Sequence, residues 1–115
     1  MENKFKELPL AITICDREGN ILDMNDRSAA TFAKSGGLEL IGGNLLNCPP
    51  EPARSKLIDL LNNPRVNAYT IEKNGVKKLI YQTPWYDGGE FGGLMEISME
   101  IPFDMPHYVR KPKVE

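Results

Sequence analysis

The chain is poor in the residues that metal and nucleophile chemistry draws on. It has one histidine, His107, and two cysteines, Cys15 and Cys48, in 115 residues. Two thiols do not make a disulfide scaffold, and both are expected to be reduced. One imidazole and two thiols also fall short of the four ligands a structural zinc site takes. No apolar run approaches the ~20 residues that a membrane-spanning helix needs. The opening residues Met1-Glu2-Asn3-Lys4-Phe5-Lys6-Glu7 carry no apolar block ahead of a small-residue cleavage site, which predicts a cytoplasmic chain without a secretory leader. An excess of charge is missing as well. Fourteen basic residues stand against sixteen acidic ones, a net −2. That balance predicts no nucleic-acid partner and no polybasic membrane docking.

What is present is ordinary globular material: 41% apolar and 26% charged residues, the size of one domain. Leu8 to Cys15 alternates Leu10, Ile12 and Ile14 against Ala11, Thr13 and Cys15, the period of a half-buried strand. The turn Asp16-Arg17-Glu18-Gly19-Asn20 leads into a second short strand, Ile21 to Met24. Asn25 is placed to cap a helix whose apolar face is Ala29, Ala30, Phe32 and Ala33, stopped by Gly36-Gly37. Leu38 to Leu46 is too short and glycine-broken for more than one turn and a connector. Cys48-Pro49-Pro50-Glu51-Pro52 excludes regular structure until Pro52, which suits the first position of a helix. In that helix Ala53, Leu57, Leu60 and Leu61 form one stripe.

After Asn62-Asn63-Pro64 the period changes from 3.6 to 2. Three strands follow: Val66 to Lys73, Val76 to Tyr86 and Phe91 to Ile101. Asn74-Gly75 is a type I′ hairpin signal, and Asp87-Gly88-Gly89-Glu90 is a second tight turn. In the last strand Met95, Ile97, Met99 and Ile101 alternate against Glu96, Ser98 and Glu100. Gly92-Gly93 within it predicts a bulge or a close approach by another group. Five strands in hairpins with short helices on one face make an α+β fold with one antiparallel sheet. Domain limits are expected at residues 8–101, between an N-terminal extension (1–7) and a Pro-rich tail (102–115).

The order strand, Asp16-Arg17-Glu18-Gly19-Asn20, strand, Asn25, Ala-rich helix resembles the opening of a PAS sensor domain. The Leu/Ile helix and the closing strands with Asn-Gly and Asp-Gly-Gly turns fit the rest of that family. The resemblance covers about residues 8–101. It implies a sheet curled round the helices in the order 2-1-5-4-3, with a small internal pocket. It implies sensing or docking rather than catalysis: a domain of bacterial-style signalling that binds a small ligand, a second copy of itself or a signalling protein, and acts in trans. A ligand-free interaction or dimerisation module is the alternative, and a small enzyme using Cys48 is a third.

Haem and flavin are both disfavoured as cofactors. The haem-binding branch of the family uses a His on the long helix, and Pro52 to Asn63 contains none. Where related sequences carry Cys-His-Pro, this chain has Cys48-Pro49-Pro50; Cys48-Pro49 matches the Cys-Pro haem-regulatory dipeptide, but over two residues only. In the light-sensing branch a reactive Cys follows Gly-x-Asn. Here Gly42-Gly43-Asn44 is followed by Leu45, and Cys48 comes three residues later. The pocket expected from the sequence gathers Phe32, Asn44, Cys48, Leu57, Tyr81, Thr83, Trp85, Met95 and Ile97, with Tyr81, Thr83 and Trp85 on the inner face.

Overall fold

A computed structural model describes residues 3–47, 49 and 51–113. Among the described residues are three short α-helices, α1 (Asn3–Lys6), α2 (Asp26–Thr31) and α3 (Ala53–Asn62). Five strands accompany them: β1 (Ala11–Cys15), β2 (Ile21–Met24), β3 (Asn67–Lys73), β4 (Val76–Asp87) and β5 (Glu90–Ile101). The strands form one antiparallel sheet in the order β2-β1-β5-β4-β3. No described helix is long and apolar enough to cross a membrane.

Local chemistry accounts for the elements. Asn74 and Gly75 both adopt positive φ, 53° and 77°, which a type I′ turn between β3 and β4 requires. Asn25 caps α2: its Oδ1 accepts from the Ser28 amide at 3.1 Å. The helix after it is shorter than the alanine pattern predicts. It ends at Thr31 and continues as 3₁₀ turns, Ala33–Ser35 and Gly37–Leu40, because only Ser28 is buried in α2 and little packing holds its far end. A third 3₁₀ turn, Leu45–Asn47, leads towards α3. Residues 102–113 have no helix or strand, and each is exposed.

Asn44 is a clip between two loops. Its Nδ2 donates to the Glu18 carbonyl at 2.8 Å and to Asn20 Oδ1 at 3.2 Å, while its Oδ1 accepts from the Leu46 amide at 2.9 Å. The turn it grips is tied by Asp16, whose Oδ1 accepts from the Glu18 and Asn20 amides and whose Oδ2 accepts from Asn20 Nδ2. Desolvation raises the Asp16 carboxyl, but the donors from Asn20 and Glu18 together outweigh it and hold it below the usual value. A carboxyl lowered in the folded state stabilises above its unfolded pKa, and that contribution disappears as pH falls below about 4. The gap in urea midpoint between wild type and Asp16→Asn is therefore expected to shrink between pH 6 and pH 3. A gap that does not change with pH would contradict this assignment.

The core is small. Cys15, Leu57, Leu60 and Leu94 pack together, with Leu45, Leu46 and Leu61 against them. Of the predicted α3 stripe, Leu57 and Leu60 are buried, Leu61 is half-buried and Ala53 is exposed. One short helix and a few 3₁₀ turns are a small plug for a sheet whose two longest strands have twelve residues each. The inner face is left partly uncovered, and that gap becomes the cavity.

Candidate functional site

The strand alternation fixes which side chains look at the helices. Cys15 and Leu94 touch Leu57 and Leu60 of α3, and the Thr13 hydroxyl meets that of Ser28 on α2 at 2.6 Å. The inner face therefore carries Ala11, Thr13 and Cys15 from β1, and Leu94, Glu96 and Ser98 from β5. From β4 it carries Ile80, Gln82 and Pro84, and from β3 Asn67 and Tyr69.

This corrects the expected pocket. Tyr81, Thr83, Met95 and Ile97 pair as Tyr81↔Ile97 and Thr83↔Met95 on the opposite, outer face. Trp85 shares their side. Its indole lies against Gly92 and donates from Nε1 to the Cys15 carbonyl at 2.9 Å. The physical reason is the two-residue period: alternation shows that the faces differ, and a one-residue change of parity exchanges them. Here the apolar alternates of β5 point outward and the polar ones inward. Asn44 is a loop clip and does not line the cavity. Cys48 lies outside the described residues. Phe32 and Leu57 do line the cavity.

The cavity has a volume of about 760 Å³, within the usual range for a small-molecule site. Phe32, Leu45, Pro49, Pro52, Ala53 and Leu57 supply mostly apolar walls. Lys56 and Ser35 stand at its exposed margin. A smaller pocket of about 30 Å³, shared with Phe32, Ser35 and Leu45, continues towards Ile21, Met24 and Leu40.

Its floor is a polar row that runs straight across the sheet. Asn67, Gln82, Glu96 and Thr13 are successive cross-strand partners on β3, β4, β5 and β1, and the first three line the cavity. Asn67 Nδ2 donates to Gln82 Oε1 at 2.8 Å, and Gln82 Nε2 donates to Glu96 Oε2 at 2.8 Å. A carboxylate only accepts, so Glu96 dictates which way the Gln82 amide points. Beside this row Tyr69 has its phenol pKa raised, by desolvation first and by the Glu96 charge second. Gln82 is buried, so Gln82→Leu strands the Asn67 amide and one Glu96 oxygen. A loss of about 2 kcal/mol in unfolding free energy is expected by urea titration. A variant as stable as wild type would show that the row is not held together by these bonds.

Sequence reasoning missed Asn67, Tyr69, Gln82 and Glu96. The available signal was Gln82 and Glu96 in the middle of two long strands, each an uncommon residue for a strand packed under a helix.

Of the groups considered for catalysis or haem, the described ones, Cys15 and His107, do not line the cavity. Cys15 is buried, and burial, ahead of the opposing Leu94 hydrogen bond, raises its thiol pKa, the reverse of an activated nucleophile. His107 sits exposed in the tail. No described cavity-lining residue is His, Cys or Met. No group of three metal-ligating side chains occurs among the described residues.

No protein-family model matches the chain, and no curated protein matches it. Solved structures do. A C-terminal domain from Streptococcus mutans superposes with a TM-score of 0.67 at 24% identity, over 84% of this chain and 79% of that one. A PAS domain of an HTR-like protein from Haloarcula marismortui gives 0.59 at 18% identity, over 84% and 85%. A sensory box sensor histidine kinase from Vibrio cholerae gives 0.63 at 16% identity, over 87% and 88%. Sheet order, helix order and these superpositions together show that the chain has the PAS fold.

Proposed function

We propose that the chain is a non-enzymatic sensory domain that binds a small ligand in the cavity between α3 and the inner face of β3–β5 and signals to another chain. The observation that carries this reading is the cavity itself: about 760 Å³ of apolar wall over a hydrogen-bonded polar floor. A few polar groups at fixed positions in an apolar pocket orient a ligand, and the apolar walls supply affinity. A ligand that favours one arrangement of the row shifts the population towards it. The row ends at Thr13, the cross-strand partner of Glu96, whose hydroxyl meets that of Ser28 on α2.

Saturation-transfer NMR with a panel of small amphipathic compounds tests it. A subset is expected to bind wild type, and Ala53→Trp, which places an indole at the mouth, is expected to weaken binding at least about tenfold with the melting temperature kept. Binding unaffected by that substitution would overturn the site.

A second reading, docking of a second copy on the sheet, is supported by the outer face. Leu79, Met95, Ile97 and Met99 are half-buried there, and Tyr81 is 37% exposed. A concentration-independent monomer mass in light scattering would count against it.

A further inference from the structure

We infer that the ligand bears an N–H donor head, an organic amine in its simplest form, seated on Glu96 beneath an apolar body. The inference rests on the cavity being a ligand site. Glu96 is the described acidic residue of its lining, and among the described residues its Oε2 is engaged by Gln82 while its Oε1 takes no hydrogen bond. Two neighbours on the sheet are already committed. Cross-strand Thr13 has its hydroxyl paired with Ser28, and the Gln82 amide is oriented between Glu96 and Asn67. Glu96 is half-buried at the cavity floor, so its free oxygen is open to an incoming N–H, better still a cationic one, which would make a charge-assisted hydrogen bond there.

The opposing charge is Lys56. It lies on α3 at the exposed margin of the cavity, where water and salt screen it more than a group on the sheet floor. Charge at the floor therefore sets the preference, and a carboxylate head of the same shape would face Glu96 directly. The apolar body would lie against Phe32, Leu45 and Leu57.

Three indoles of one shape separate the possibilities: tryptamine, 3-ethylindole and indole-3-propionate, titrated at pH 7 by ligand-observed NMR. Tryptamine is expected to bind at least about tenfold more tightly than indole-3-propionate, with 3-ethylindole between them. In Glu96→Gln, which keeps the Gln82 acceptor, the spread is expected to fall within about twofold. The wild-type order decides by itself if that variant does not fold. In Lys56→Gln tryptamine is expected to remain the tightest. If 3-ethylindole binds the cavity but tryptamine gains nothing over it, the amine preference is wrong and the ligand site stands. If indole-3-propionate binds tightest and loses that rank in Lys56→Gln, the rim lysine governs and the inference is overturned. If none of the three binds at millimolar concentration, both the inference and the ligand site on which it rests fall.

Discussion

Gly93→Val is expected to remove about 4 kcal/mol of stability, enough to leave a small domain partly unfolded at room temperature. Gly93 has φ +156°, and a Cβ built there would overlap the carbonyl oxygen of Cys15 and the backbone of Asp16. Backbone on the facing strand cannot swing aside as a flexible side chain can. The same Cys15 carbonyl accepts the Trp85 indole N–H, so any shift of β1 to make room also breaks that bond. Backbone strain of about 1–3 kcal/mol adds to overpacking of similar size. Gly89→Ala is the control. Its φ is +85° but nothing lies within 4 Å, so strain alone operates and the loss is expected to be about 1 kcal/mol. Urea titration followed by Trp85 fluorescence reads both. Gly93→Val within error of Gly89→Ala would mean that β1 and β5 are not in the close contact described.

The second large effect is at Asn25, which is fully buried. Its Oδ1 accepts from the Ile12 amide at 2.9 Å and from the Ser28 amide at 3.1 Å. Its Nδ2 donates to the carbonyls of Leu10 at 2.8 Å and Phe5 at 3.1 Å. One side chain thus caps α2, completes the end of β1 and holds the N-terminal segment, which the Lys6–Asp26 ion pair at 3.0 Å also touches. Asn25→Ala leaves several of these buried backbone groups without partners, at roughly 1–3 kcal/mol for each one that water cannot reach. A loss of about 4 kcal/mol is expected. Asn25→Ser keeps a cap for Ser28 but not the reach to Leu10, and should fall between. Thermal melts of the three proteins check the order. Equal stability of the serine and alanine variants would show that the cap contributes nothing.

The elements were legible in the sequence wherever a local rule decides them. Asn74-Gly75 demands its turn, Asn25 demands its helix, and the strand alternation from Val66 onward is plain. The Gly92-Gly93 pair announced a close approach, and the structure supplies the partners, Trp85 over Gly92 and Cys15 against Gly93. What local rules could not supply was the face. Met95 and Ile97 read as pocket residues because burial normally goes with apolarity. The structure turns Glu96 and Gln82 inward, and the apolar set lies on the outside. The cause is tertiary: Cys15 and Leu94 must meet Leu57 and Leu60, and that packing sets the parity of the sheet. Polar residues on an inner face run against simple patterning, and such departures are expected at functional sites.

The proposed ligand site on the polar inner face is tested most directly by methyl NOEs. Protein labelled at the methyl groups of leucine and methionine is saturated with tryptamine. NOEs from the indole to the Leu45 and Leu57 methyls, which line the cavity, and none to Met95 and Met99 on the outer face, are the predicted result. NOEs confined to Met95 and Met99 would contradict it.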